Sequence, residues 1–109
     1  HNSSIRPFRR VEGCDPAWHT FVILVDFPNL KIDRATLMNS LRQKNIGTQV
    51  LYIPVHLQPY YQKVSATPFL AGAEDYYSKC LSLPLSANIS EEKIDAVVGA
   101  IKDIAGTSW

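Results

Sequence analysis

The spacing of hydrophobic positions along the chain predicts three strands and two longer helices. The unbroken apolar run Phe21–Val25 predicts a strand at residues 18–27 with both faces buried. Alternating apolar positions predict two further strands, at residues 48–55 and 80–85. Because Pro54 cannot donate a ladder hydrogen bond, the second strand is expected to end there or to lie at a sheet edge.

Two segments carry apolar residues three and four positions apart, which predicts amphipathic helices. The first is expected at residues 34–44 behind the N-cap Asp33, with Gly47 in the left-handed position after it. The last begins behind Ser90 and ends before Gly106. The apolar stripes of these helices are Leu37, Met38 and Leu41 in the first and Ile94, Val97, Val98, Ile101 and Ile104 in the last.

The order of the predicted elements is strand, helix, strand, two short helical segments, strand, helix. The short segments are expected at residues 57–64 and 73–79. Strands separated by helices predict an α/β fold, here a two-layer sandwich. We expect a small, mostly antiparallel sheet with the helices on one face.

The first seventeen residues lack this patterning. Residues 1–17 hold Pro7, Gly13 and Pro16 without any periodicity, which predicts an extended lead-in rather than a folded element. A compact domain seldom needs so long an unpatterned start. We therefore interpret this stretch as an extended lead-in that connects to an upstream large domain, and residues 18–109 as a small folded domain.

Composition narrows the classes of function. The chain has 109 residues, 46% of them apolar, and a net charge of +1, which fits one domain. A nucleic-acid surface would need clustered basic residues, and the one concentration, Arg6, Arg9 and Arg10, is typical of a solvated segment. No apolar run could span a bilayer and no secretory signal pattern opens the chain, so we expect a cytoplasmic protein without a membrane partner.

The two cysteines, Cys14 and Cys80, match neither a disulfide framework nor a zinc spacing. We expect free thiols in a reducing compartment, with Cys80 packed like a small apolar residue. A single bridge between them is the alternative. The histidines and cysteines show no metal-ligand spacing, so no metal site is expected.

A polar, aromatic stretch follows the second predicted strand. Between Pro54 and Pro59 and just beyond lie His56, Gln58, Tyr60 and Tyr61. An imidazole, an amide and two phenols held by prolines are typical of a ligand-facing loop.

Each candidate in this stretch also has a structural interpretation. From the residues alone, a hydrogen-bonded histidine at a strand end is the slightly better interpretation of His56, and Tyr60 fits a ring wedged on Pro59. Tyr52, a strand tyrosine, is expected in the core with its hydroxyl at the rim. His19, at the start of the buried strand, is expected to be packed or capping.

Several segments, taken in order, carry a resemblance to a known family. They are residues 17–23, 34–41, 45–50, 52–61, 73–74, 81–85 and 90–92. Together they resemble the C-terminal small domain of the DegT/StrS family of pyridoxal-phosphate-dependent sugar aminotransferases. The resemblance covers about residues 18–105, with residues 46–61 as its most specific part, and is greatest to members that aminate nucleotide-linked 4-keto-6-deoxy sugars.

The resemblance implies a fold type I transaminase, a homodimer that moves an amino group from an amino acid, usually glutamate, to a nucleotide-linked keto-sugar. It places His56 and Tyr60 at the sugar-nucleotide pocket, with Tyr52 as a further candidate. In this family the lysine that holds pyridoxal phosphate lies in an upstream large domain. The resemblance therefore implies no catalytic or cofactor-binding residue in this chain, which alone is expected to be inactive.

Two other functions remain open. A self-contained small-molecule-binding or regulatory α/β module predicts a glycine-rich ligand turn between strand and helix, and the sequence contains none. A purely structural interaction domain predicts an exposed apolar patch without converging polar groups. The polar residues around His56 argue against this function.

Overall fold

The structure, a computed structural model, describes residues 3–66 and 68–106. Its three-stranded antiparallel sheet has the order β1-β2-β3, with β1 at Ile5–Pro7, β2 at Phe21–Val25 and β3 at Cys80–Leu83. The central strand pairs Val25 with Ile5 of β1 and Ile23 with Leu81 of β3. The predicted fold class, α/β with a small antiparallel sheet, is confirmed.

Helices make up most of the remaining described chain. They are α1 (Phe27–Leu30), α2 (Arg34–Gln43), a 3-10 turn (Val55–Leu57), α3 (Pro59–Val64), α4 (Ala71–Lys79) and α5 (Glu91–Ala105). Both long helices begin at their predicted caps: Asp33 accepts from the Thr36 N–H at 2.7 Å, and Ser90 from the Lys93 N–H at 3.3 Å. Each cap satisfies an N–H group that the first helical turn leaves unpaired.

The hydrophobic core is formed by one face of the sheet together with α2 and α5. Ile23 and Val25 of β2 are buried in this core, as predicted. Leu37, Leu41 and Ile101 from the two helices are buried with them. The unbroken apolar run of β2 predicted that both faces of the strand are buried. On the opposite face the side chains of β2 are only half-buried.

β1 corrects the expectation for the start of the chain. Ile5–Pro7 pairs with β2, Ile5 is buried in the core, and the Phe8 N–H donates to the Val22 carbonyl at 3.0 Å. The expected lead-in is therefore wrong for this stretch, while residues 1 and 2 lie outside the described residues. A three-residue strand is too short to show alternation, and an edge position tolerates the missing N–H of Pro7.

The predicted strand at residues 48–55 is also wrong. A single bridge pairs Gln49 with Ser82 of β3, and the chain then leaves the sheet. Extending this antiparallel register would set Leu51 opposite Cys80, the first residue of β3, and later residues opposite α4. Because a helix offers no ladder partner, the alternating apolar pattern here marks a segment outside the sheet, in which exposed and half-buried residues are mixed.

One helix end and one short helix differ from the prediction. After α2, the left-handed position expected at Gly47 is taken by Asn45, whose φ is 60°. Asparagine tolerates this conformation better than most residues with a side chain. The short helix α1 was not predicted, although Asp26 caps it by accepting from the Asn29 N–H at 3.2 Å.

Candidate functional site

Helix α4 contacts the segment of residues 51–56 at two points. Nε2 of His56 lies 2.9 Å from Oε1 of Glu74. Two residues further along α4, the Tyr76 hydroxyl donates to the Leu51 carbonyl at 3.4 Å. Burial raises the pKa of Tyr76, as does the neighbouring Cys80, so this hydroxyl stays protonated and able to donate.

His56 sits in the 3-10 turn and is almost enclosed. Its side chain is 8% exposed, whereas that of Glu74 is 32% exposed. Within residues 3–66 and 68–106, its second ring nitrogen, Nδ1, has no hydrogen-bond partner. The hydrogen-bonded histidine expected from the sequence is thus found, but only one of its two ring nitrogens is bonded. The other nitrogen is available to a ligand.

The two candidate tyrosines lie on the surface. Tyr60 is 68% exposed and stacks edge-on against Tyr61, with ring centroids 5.3 Å apart. Tyr52 is 72% exposed, so its expected place in the core is wrong. It leaves the core because the strand that would have carried it is not formed. In the described part, no hydrogen bond or ring stacking joins His56, Tyr52 and Tyr60.

A polar cleft of about 510 Å³ lies beside the Gln49–Ser82 bridge, and its lining includes Tyr52, His19 and Arg42. His19 is exposed, so its expected packed position is wrong. The reason is that β2 begins at Phe21, two residues beyond it. Arg42 was not predicted as a site residue, since a lysine or arginine near a helix end is usually explained by the helix dipole.

Large apolar side chains are exposed through the same region. Between residues 52 and 70 the structure exposes Tyr52, Ile53, Val55, Tyr60, Tyr61, Val64, Phe69 and Leu70. Soluble proteins seldom leave so many large apolar groups in water unless another surface covers them.

The lysines of this chain do not fit covalent attachment of pyridoxal phosphate. Lys31, Lys44, Lys63, Lys93 and Lys102 are exposed, and Nζ of Lys79 pairs with Asp75 at 2.6 Å. A lysine that attacks a carbonyl needs a desolvated pocket or a second cation to lower its pKa. The chain therefore does not supply this part of the cofactor's site.

Three further observations concern the predicted chemistry. Cys14 and Cys80 are free thiols, Cys14 exposed and Cys80 buried, as predicted. Among the residues that the structure describes, no three histidine, cysteine or carboxylate side chains are grouped as metal ligands would be. Within those same ranges, none of the helices has the length and apolar character needed to cross a membrane.

The chain belongs to the DegT/DnrJ/EryC1/StrS aminotransferase family, whose model matches residues 3–102. The resemblance predicted from the sequence is confirmed. The spore coat polysaccharide biosynthesis protein SpsC of Bacillus subtilis (strain 168) is 39% identical over 103 residues, which are 92% of this chain and 26% of SpsC.

Solved structures of similar fold include one with a bound ketimine intermediate and one with a bound cofactor. S. venezuelae DesV in complex with a ketimine intermediate has a TM-score of 0.80 and 26% identity, over 98% of this chain and 28% of that one. NtdA from Bacillus subtilis with bound cofactor PMP has a TM-score of 0.68 and 29% identity, over 83% and 21%. The chain thus spans about a quarter of the length of these relatives.

Proposed function

We propose that this chain is the small domain of a pyridoxal-phosphate-dependent sugar aminotransferase, which transfers an amino group from an amino acid to a nucleotide-linked keto-sugar. Glutamate is the proposed donor. The observation that carries the proposal is the family match over residues 3–102. The role of SpsC in polysaccharide biosynthesis supports a sugar as the acceptor.

In this proposal the cofactor is held by residues outside the 109 of this chain. The relatives are about four times as long, and the lysines here are exposed or ion-paired. Pyridoxal phosphate supplies the electron sink that amino transfer requires. The chain on the N-terminal side of β1 would lead to the domain that binds it, and the two free thiols support a reducing, cytoplasmic location.

The contribution of this chain is to bind the sugar nucleotide, with His56, Tyr60 and Tyr52 as the proposed contacts. An imidazole and two phenols can hydrogen-bond sugar hydroxyls or phosphate oxygens. Both tyrosines are exposed, so their hydroxyls are free to meet a ligand. His56 differs from them because Glu74 already fixes its ring.

The exposed apolar side chains of residues 52–70 support a covered surface in the intact enzyme. Each large apolar side chain that becomes fully buried contributes about 1.5–3 kcal/mol. We propose that the cofactor-binding part of the enzyme, assembled as a homodimer, covers them and closes the pocket beside His56.

The experiment is an amino-transfer assay on the natural polypeptide that carries this chain, purified whole and supplied with pyridoxal phosphate and glutamate. Nucleotide-linked keto-sugars are offered singly, and the amino-sugar product is identified by mass spectrometry. We expect an aminated product from at least one, and none from the 109-residue chain assayed alone. Turnover by the short chain, or no product from the whole protein with any keto-sugar nucleotide, would refute the proposal.

A further inference from the structure

The hydrogen bond between His56 and Glu74 determines which ring nitrogen carries the hydrogen. A carboxylate only accepts hydrogen bonds, and a neutral imidazole has one N–H donor and one acceptor nitrogen. With Nε2 placed 2.9 Å from Oε1 of Glu74, Nε2 is the nitrogen that donates. Nδ1 is then the acceptor, and it has no partner in the described chain.

We propose that Glu74 is a positioning residue that holds His56 as the Nε2–H tautomer, so that Nδ1 accepts a hydrogen bond from a hydroxyl of the sugar. This inference rests on the proposed function, since it specifies how His56 meets the substrate. It also narrows the group that is bound. Phosphate and keto oxygens have no hydrogen to donate, so the neutral ring binds a hydroxyl and not these oxygens.

The burial of His56 indicates that its unpartnered Nδ1 meets a hydrogen-bond donor in the intact enzyme. Because the His56 side chain is only 8% exposed, Nδ1 has little water to satisfy it. Buried polar atoms are nearly always hydrogen-bonded, so an exception points to a missing partner. A ligand hydroxyl supplies the donor that this nitrogen lacks.

The two residues belong to different elements, so the backbone of neither one fixes the ring. His56 lies in the 3-10 turn Val55–Leu57, and Glu74 lies in α4. A carboxylate that takes one imidazole N–H orients the ring and directs the other nitrogen, as in metal sites and catalytic triads. Pro54 and Pro59 restrict the backbone on either side of the turn. The remaining freedom is rotation of the His56 side chain, and the hydrogen bond to Glu74 limits it.

The first test reads the tautomer directly. The 109-residue chain is labelled with ¹⁵N-histidine, and the imidazole nitrogen shifts are recorded over a pH series. The tautomer is read at a pH above the titration midpoint of His56 in that series, where the ring is neutral. We expect a protonated Nε2 and an unprotonated Nδ1. In Glu74→Gln, whose amide can donate as well as accept, we expect a mixture of the two tautomers. A proton on Nδ1 in the unchanged chain, or an unaltered tautomer in Glu74→Gln, would overturn the proposal.

The control is Asp75→Asn, the same chemical change at the next position of α4. Asp75 pairs with Lys79 on the surface, and within the described residues its side chain makes no ion pair or hydrogen bond with His56. This variant is expected to leave the His56 tautomer unchanged. A shift equal to that of Glu74→Gln would assign the effect to α4 as a whole and refute a specific role of Glu74.

The second test uses the natural whole polypeptide and does not depend on the folding of the shorter chain. Nucleotide keto-sugars that each lack one hydroxyl are compared with the parent substrate. We expect kcat/KM to fall roughly tenfold for one of them. In Glu74→Gln this discrimination should shrink, mainly through a higher KM for the parent substrate, whereas Asp75→Asn should keep it.

The outcomes separate the inference from the function on which it rests. If Glu74→Gln lowers kcat/KM equally for the parent and every deoxy substrate, Glu74 is a structural residue and the inference fails while the enzyme's function stands. If the unchanged protein shows the Nε2–H tautomer but His56→Ala leaves KM for the nucleotide sugar unchanged, the binding role of His56 fails, and with it the assignment to a hydroxyl.

Discussion

Gln49 and Ser82 exchange two backbone hydrogen bonds, of 3.2 and 2.8 Å, and this bridge attaches the segment before the candidate site to the edge of the sheet. Beyond it, the chain is next held by α4, through the Tyr76 hydroxyl at Leu51 and Glu74 at His56. Among the described residues, one backbone bridge and two side-chain hydrogen bonds thus connect this segment to the sheet and to α4.

Replacing Gln49 by proline removes the N–H that donates to the Ser82 carbonyl. We expect Gln49→Pro to lower the free energy of unfolding by about 1–3 kcal/mol, because the carbonyl of the buried residue Ser82 loses its donor. Urea unfolding of the chain measures this. Gln49→Ala keeps the backbone bond and the exposed position, and should change stability little. Equal stabilities for the two variants would show that the bridge does not hold the segment.

Ile101 tests the assignment of the core. It is fully buried in α5, whereas Ile94 on the same helix is 44% exposed. We expect Ile101→Ala to cost about 2–5 kcal/mol of unfolding free energy, through lost burial and the cavity that remains. Ile94→Ala is the matched control and should cost clearly less. A similar cost at both positions, measured by urea unfolding, would contradict the described packing of α5 on the sheet.

Asp33 gives a prediction for the dependence of stability on pH. The hydrogen bond from the Thr36 backbone N–H lowers the pKa of Asp33 below its ordinary value of 3.8, and the Thr36 side chain lowers it further. Because the folded pKa is the lower one, the ionised cap stabilises the fold above the unfolded pKa. This contribution is lost as the pH falls through the folded pKa.

The measurement for Asp33 is urea unfolding from neutral to strongly acidic pH. Asp33→Ser keeps a capping oxygen without a titrating group. We expect the stability of the original chain relative to Asp33→Ser to be greatest at neutral pH and to decline in acid. A constant difference across this range would mean that the ionised carboxylate does not cap α2.

The elements that could be predicted from the sequence are those specified by local signals. The buried run of β2, the caps Asp33 and Ser90, and the spacing of apolar residues in α2 and α5 each depend on neighbours a few residues away. The elements that were missed depend on distant partners. Ile5–Pro7 is a strand because β2 lies beside it. Residues 52–55 have no strand partner, because the register of the Gln49–Ser82 bridge sets them opposite α4.

The same limit applies to the candidate site. His56 could be singled out because an imidazole between two prolines after an apolar stretch is a local pattern. Its partner Glu74 lies eighteen residues away, on a helix whose position is set by the sheet. No spacing rule joins these two residues, although residues 73–74 were among the segments that carried the family resemblance. The exposure of Tyr52 could not be predicted either, because it follows from the missing strand.

The central claim, that this chain presents His56 to the sugar nucleotide of an aminotransferase, is tested most directly by the Michaelis constants of His56→Ala in the natural whole polypeptide. We predict that KM for the nucleotide-linked keto-sugar rises roughly tenfold or more, since a hydrogen bond to the substrate is lost. KM for the amino donor should stay within about twofold. An unchanged KM for the nucleotide sugar, with the protein still folded and active, would contradict the claim.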